Sequence, residues 1–316
     1  MNKDIANINV GFLGLGQIGS VMAARLIGSG VTLHVFDPRV QAADELVAAG
    51  AAAHHTPREV ADNASIIFAS LPSREVSLQV ATGDDGVLHG KALRHYVEMS
   101  TIGRDTMRII AAALSTRGIG CVDAPVTGGV PGARRGTLSI MVSGPLASLD
   151  AVRPLLARIG GKLTELGEQP GQAQTMKLVC NLVVAGNMIV ACEGLAMGAK
   201  AGLDPQKMLD LLNSGTARSA TTSDILTDAV LNRRFAFGAR VSIIDKDVRI
   251  GLDEAKNLGV PTPVISTAAA LWNDAVLRHG IGDEDFTAIL LPIERAAGTR
   301  VGGTDDFPAS PKESSA

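Results

Sequence analysis

The stretch "GFLGLGQIGSVMA", residues 11–23, sets Gly14, Gly16 and Gly19 at G-x-G-x-x-G spacing. In a chain with 35 glycines among 316 residues that spacing alone says little. Its surroundings say more. "INVGFLG" reads as a buried strand running into the glycines, "QIGSVMAARLIGSG" carries apolar residues at helical spacing, and "VTLHVFD" supplies a second buried strand that closes on Asp37. Strand, tight turn, helix and strand in that order commit the chain to a βαβ unit and a parallel sheet.

The turn has the features of a dinucleotide cradle. Gly14 permits the turn, Gly16 lets backbone approach a pyrophosphate, and Gly19 packs helix on strand. Gln17 and Ile18 open the helix, whose N-terminus faces the phosphates. Asp37 lies close to the roughly 20 residues downstream expected of a ribose-binding acid. A carboxylate there accepts hydrogen bonds from ribose hydroxyls and repels a 2′-phosphate, which favours NAD. Arg39, two residues on, is placed to swing toward such a phosphate, which leaves NADP open.

Composition bounds the remaining classes. At 32.6 kDa, 46% hydrophobic and net charge −3, the chain reads as a soluble protein of two domains. No Lys/Arg cluster is interleaved with aromatics, which total 3%, so no nucleic-acid partner is expected. Cys121, Cys180 and Cys192 show no C-x-x-C spacing and read as reduced thiols, in keeping with the cytoplasm. The N-terminus "MNKDIANINV" has no apolar signal region. "LVVAGNMIVAC" is the most membrane-like run, but Lys177, Asn181, Asn187 and Glu193 interrupt it, and no membrane span is expected. His34, His54, His55, His89, His95 and His279 lack metal-ligand spacing, so no metal is expected and the histidines are assigned to the surface.

Strands and helices alternate to about residue 168, which predicts an α/β, Rossmann-type dinucleotide-binding domain over 1–168. "SIIFASLP", "YVEMST", "CVDAPV" and "TLSIMVSG" extend one sheet, and Thr56, Pro57 and Glu59 form a capping box. From about residue 170 strand signals vanish. "GQAQTMKLVCNLVVAGNMIVACEGLAMGAKAG" predicts a long helix, apolar all round and therefore buried all round, at the head of an all-α domain over 169–298. The next helix is capped by Asp204 with Pro205 at its first position. Residues 299–316 read as a disordered tail.

Reactive residues are expected at the carboxyl ends of the strands. "EMSTIG" leaves Ser100 and Thr101 there, and "DAPVTGGVPGARRGTL" offers Thr127, Gly128 and Gly129, a run of backbone N–H donors suited to a carboxylate. Arg134 and Arg135 read equally as anion ligands or solvated charges. Lys177, with Asn181 one turn on, is the best candidate to exchange a proton with a substrate hydroxyl. A solvated first-turn lysine is the competing reading. No G-x-S-x-G elbow occurs.

Taken in order from about residue 8 to residue 295, these segments resemble the β-hydroxyacid dehydrogenase family, which includes 3-hydroxyisobutyrate dehydrogenase and tartronate semialdehyde (2-hydroxy-3-oxopropionate) reductase. The resemblance implies a 6-phosphogluconate dehydrogenase-like fold, an NAD(P)-dependent oxidoreductase and a homodimer or homotetramer. It implies that Leu71 and Pro72 of "SLP" lie beside the nicotinamide, that Thr101 contacts cofactor, and that Ser100 contacts substrate. It further implies that Thr127, Gly128 and Gly129 bind the substrate carboxylate, that Lys177 is the acid/base, and that Asn181 orients the substrate. In "IDKDV", Lys246 reaches the cofactor and Asp247 supports it.

The chain departs from the pattern at several positions. Thr127 stands for the usual serine, Glu98 for an aspartate, Arg104 for a proline and Ala173 for a glycine. Ala239 falls where a phenylalanine commonly closes the substrate site, which predicts a roomier pocket and a longer or branched β-hydroxyacid. Tartronate semialdehyde reduction is the alternative, followed by a non-catalytic dinucleotide-binding regulator. The related 6-phosphogluconate dehydrogenases place a histidine where this chain has Cys180, and imine reductases lack the lysine.

Overall fold

The computed structural model describes residues 8–28 and 30–303. The chain alternates as the sequence predicts: β1 (Ile8–Leu13), α1 (Gly19–Ala24), β2 (Val31–Phe36), α2 (Asp44–Ala48), β3 (Ala52–Ala53), α3 (Pro57–Asn63), β4 (Ile66–Ala69), α4 (Arg74–Thr82), β5 (His95–Glu98), α5 (Arg104–Ser115) and β6 (Gly120–Asp123). These six strands form one parallel sheet in the order β3-β2-β1-β4-β5-β6. The order reverses between β1 and β4, and ligands of open α/β sheets bind beyond the carboxyl ends of the strands at such a reversal. Val10, Phe12, Val35, Ile67, Phe68 and Val97 are fully buried, because a parallel sheet is covered on both faces.

Thr56 caps α3 by accepting the Glu59 N–H at 3.1 Å, while the Glu59 carboxylate reaches back to the His55 N–H at 2.8 Å, one residue short of the capping residue itself. The histidine assignment needs correction. His34 on β2 is buried, and its Nδ1 lies 2.9 Å from His54 Nε2. Burial and then the neighbouring His54 push His34 below its ordinary pKa.

"TLSIMVSG" does not extend the main sheet. It forms β8 (Ser139–Val142) in a separate sheet with β7 (Val126–Thr127) and β9 (Lys162–Glu165), in the order β7-β8-β9. β8 runs antiparallel to β7, and just beyond it Ser143 pairs with Asp123 of β6 in an isolated antiparallel bridge, so β8 does not continue the parallel ladder. Two helices complete this part: α6 (Gly129–Arg135) and α7 (Leu146–Ile159).

The remaining elements are helices: α8 (Gln172–Lys200), α9 (Pro205–Ser214), α10 (Leu226–Ala229), α11 (Val241–Asn257), α12 (Pro263–Leu277) and α13 (Leu290–Ala297). The chain divides into two compact units between Val179 and Cys180, inside α8. Asp204 caps α9 through the Lys207 N–H at 2.9 Å, with Pro205 at the first position. The second unit packs around the fully buried Trp272, whose indole N–H donates to the Ala185 carbonyl at 3.2 Å.

The expectation that α8 is buried all round fails. Ala185, Met188, Cys192 and Leu195 face the core, but Val183, Val190 and Met197, spaced at seven residues, are 53%, 63% and 74% exposed. At 29 residues, with an 18-residue stretch of mean hydropathy 1.8, the helix is long and apolar enough to cross a membrane, so its composition does not distinguish a core helix from a span. Residues 299–303 are also not a loose tail. Val301 is fully buried, its N–H donates to the Glu294 carboxylate at 2.6 Å and its carbonyl accepts from Arg233 at 3.1 Å. The rest of the predicted tail, residues 304–316, lies outside the described residues.

Candidate active site

The three glycines of the opening turn are required for different reasons. Gly14 adopts φ +87°, and a Cβ there would meet the Ser70 carbonyl at 2.2 Å; at Gly19 it would meet the Gly14 carbonyl at 2.1 Å. Gly16 has open space around it, with nothing within 4 Å of an added Cβ. Protein packing therefore dictates Gly14 and Gly19 but gives no reason for Gly16, and a pyrophosphate laid against its backbone does. Gln17 beside it is exposed and Ile18 half-buried. The Gly16→Ala protein should melt at the wild-type temperature yet bind NAD at least about tenfold more weakly, whereas Gly14→Ala should unfold at lower temperature; paired melting curves and titrations check this. An alanine at Gly16 that leaves NAD affinity unchanged removes the reason for assigning the cradle.

Asp37 lies just beyond the C-terminus of β2, and both of its oxygens are in use. Oδ2 accepts the Leu15 N–H at 2.8 Å and the Arg39 Nη2 at 3.0 Å; Oδ1 accepts the Arg39 N–H and Nε, each at 2.9 Å. Burial acts to raise the carboxyl's pKa, but these hydrogen bonds outweigh it and hold it below its ordinary value. Arg39 is 66% exposed, so this ion pair adds little stability. It leaves a charged carboxylate held against the glycine turn and a guanidinium at its rim.

The ends of β4, β5 and β6 are knitted to the start of α8. Asp123 Oδ1 accepts the Gly171 N–H at 2.9 Å, and Oδ2 accepts the Gln174 N–H at 3.0 Å. The Ser143 hydroxyl donates to Asp123 at 2.7 Å and accepts the Ala173 N–H at 2.9 Å. Two side chains remote in sequence thus cap α8, satisfying N–H groups that helix geometry leaves without a partner. Gln174 in turn accepts the Ile102 and Gly103 N–H groups at 2.9 and 3.2 Å and donates to the Ser100 carbonyl at 2.9 Å. The Ser100–Gly103 loop and the first turns of α8 are therefore one braced body, and Lys177, half-buried, stands three residues beyond Gln174.

Ser100 is buried with every polar atom engaged: its N–H donates to Glu98 at 2.9 Å, its hydroxyl oxygen accepts the Leu71 N–H at 2.6 Å, and its carbonyl is held by Gln174. Thr101 and Leu71 are half-buried and Pro72 is exposed. Thr127 and Gly128 are exposed at the mouth of the second sheet. Gly128 (φ +123°) and Gly129 (φ +60°) open α6, which no side chain caps. Arg134 and Arg135 sit exposed in its last turn.

In the second unit, Asn181 Nδ2 donates to Asp247 Oδ2 at 2.6 Å, and Lys246 Nζ lies 3.0 Å from Asp247 Oδ1, an ion pair short of hydrogen-bond geometry. Asp247, on α11, is buried and ties that helix to α8 through Asn181, while Lys246 is its neighbour on the same helix. Ala239 is half-buried, packs on the helical core and accepts the Phe286 N–H through its carbonyl at 2.8 Å. The sequence reading missed Asp123, Ser143 and Gln174. Their only signal was polar residues at a strand end and one turn before the lysine, and what they bond lies up to 74 residues away.

Known proteins resemble this chain over most of its length. Residues 9–167 match the profile described as the NAD binding domain of 6-phosphogluconate dehydrogenase, and residues 171–293 match that described as NAD-binding of NADP-dependent 3-hydroxyisobutyrate dehydrogenase. The 2-(hydroxymethyl)glutarate dehydrogenase of Eubacterium barkeri is 33% identical, over 94% of this chain and 98% of its own. The 2-hydroxy-3-oxopropionate reductase of Escherichia coli K12 is also 33% identical, over 92% and 98%. The structure of Mycobacterium tuberculosis 3-hydroxyisobutyrate dehydrogenase with L-serine superposes with a TM-score of 0.82 at 28% identity, covering 90% of this chain and 99% of the other. A glycine turn with room for a pyrophosphate, a doubly wound sheet, a helical second unit and full-length likeness to these enzymes make this chain a member of the β-hydroxyacid dehydrogenase family of NAD(P)-dependent oxidoreductases.

Proposed function

We propose that the protein interconverts a β-hydroxyacid and its semialdehyde or ketone, with Lys177 as general acid/base. The observation that carries this reading is the brace from Asp123 through Gln174 to the Ser100 loop, which fixes the turn of α8 that bears Lys177. Proton transfer is efficient only when the acid/base is held in place, and a lysine can serve if burial and a nearby positive ring bring its pKa toward neutrality. In oxidation Lys177 takes the substrate hydroxyl proton; in reduction it returns it. A nicotinamide, when bound, accepts or supplies the hydride. Asn181, anchored on Asp247, orients the substrate, and Thr127, Gly128 and Gly129 receive its carboxylate. Gly14, Gly16, Gln17, Ile18, Gly19, Asp37, Leu71, Pro72, Thr101 and Lys246 hold the cofactor.

The charged Asp37 favours NAD, and Arg39 at its rim gives NADP a phosphate ligand if it lets go of the carboxylate. Ala239 in place of a phenylalanine favours a longer or branched acid, and the Eubacterium relative's name specifies such an acid. Tartronate semialdehyde is the second reading, favoured by the equally similar Escherichia reductase. The stripe of Val183, Val190 and Met197 fits burial in a homodimer or homotetramer of a cytoplasmic enzyme. Initial rates across 3-hydroxyisobutyrate, glycerate and 2-(hydroxymethyl)glutarate, each with NAD and NADP, test the substrate assignment. The larger branched acid with NAD should show the highest kcat/KM, and a clear preference for glycerate would refute the roomy pocket.

A further inference from the structure

Glu98 is a carboxylate at a strand end that touches the Ser100 loop directly. It ends β5 fully buried. Oε1 accepts the Ser100 N–H at 2.9 Å and Oε2 accepts the Tyr96 hydroxyl at 3.0 Å. The Ser100 hydroxyl also favours the ionised carboxylate without reaching hydrogen-bond geometry with it, and its oxygen accepts the Leu71 N–H. Ser77 on α4 faces the carboxylate too but stops short of a hydrogen bond. With its oxygen committed to Leu71, Ser100 has a single mobile donor left, the hydroxyl proton. Glu98 and a bound substrate carboxylate would compete for it.

We propose that Glu98 is a positioning residue that decides where the Ser100 hydroxyl proton points: inward when Glu98 is a carboxylate, toward the substrate carboxylate when Glu98 is neutral. The inference rests on the reading of Ser100 as a substrate contact. A neutral Glu98 no longer draws the Ser100 proton and can itself donate to the Ser100 oxygen, which frees that proton for the ligand. Burial pushes the Glu98 carboxyl up to about 7, against the hydrogen bonds from Ser100 and Tyr96, so the exchange falls near neutral pH. The groups facing it are Tyr96 along β5 and Cys121 and Asp123 across β6. Burial first, and then carboxylate charge nearby, raise the phenol and the thiol well above their ordinary values, so both stay neutral. Burial also raises Asp123, whose carboxylate is held by N–H groups of α8.

The test separates KM from kcat across pH 6 to about 8.5, a span centred on the Glu98 carboxyl. Wild-type KM for the hydroxyacid should rise about tenfold from the acidic to the alkaline end as the ionised carboxylate takes back the proton. Glu98→Gln, a neutral mimic, should hold the low KM throughout, and Glu98→Asp should restore a pH-dependent KM. A merely structural role predicts lower thermal stability of Glu98→Gln with an unchanged KM profile, and that result overturns the proposal. If no hydroxyacid is turned over, the catalytic reading fails by itself. Glu98 is then judged by the Ser100 amide nitrogen shift in the holoenzyme, which should titrate near neutrality in wild type and not in Glu98→Gln. A flat wild-type shift overturns the proposal as well.

Discussion

Lys177→Ala is expected to lower kcat for hydroxyacid oxidation by about two to four orders of magnitude while leaving NAD affinity within a few-fold of wild type. The side chain is half-buried, so its loss opens no large core cavity and the melting temperature should move little. Lys177→Arg should fail as fully as alanine, because a guanidinium cannot release its proton near neutral pH. This contrast separates acid/base work from mere positive charge: if arginine restores more than a tenth of the wild-type kcat, Lys177 acts only as a cation for the substrate. Single-turnover rates alongside steady-state rates show whether the lost step is chemistry or product release.

Asp123→Ala is expected to be the most damaging substitution in the first unit outside its hydrophobic core. It strips acceptors from the Gly171 and Gln174 N–H groups and from the Ser143 hydroxyl, all buried, and leaving buried donors without partners costs about 1–3 kcal/mol each where water cannot enter. A total loss of about 3 kcal/mol or more is expected in urea unfolding. Asp123→Asn, which keeps one acceptor oxygen, should fall between alanine and wild type. Activity should fall further than stability alone requires, since a frayed first turn of α8 displaces both Gln174 and Lys177, and misplacement of about 1 Å can cost about a hundredfold in rate. An Asp123→Ala protein with wild-type stability would mean that α8 is not capped from β6.

What could be read in the sequence was what is local. The βαβ opening, the caps at Thr56 and Asp204 and the buried parallel strands all follow from residues within a few positions of one another. β3 and β9 escaped notice because two exposed alanines and the largely exposed "KLTE" carry no apolar alternation; their partners in the sheets define them. The all-round burial expected for α8 failed because apolar content does not say whether a face has a partner, and Val190 and Met197 have none among the described residues of the chain. His34 looked like a surface residue because the sequence could not show that β2 brings it against His54. At the site, single motifs pointed to Lys177, Asn181 and the glycines. The brace that holds Lys177 joins strand ends that only the folded sheet brings together.

Passage of hydride and proton between a hydroxyacid and NAD(P), the proton moving through Lys177, defines the function proposed for this chain. It is tested most directly by mixing the wild-type and Lys177→Ala proteins with NAD and the hydroxyacids above, and following the absorbance of reduced nicotinamide. Rapid formation of reduced nicotinamide is expected with at least one acid in the wild type and almost none in the variant, at equal NAD occupancy. Equal rates in the two proteins, or tight NAD binding with no reduction by any acid, would contradict it.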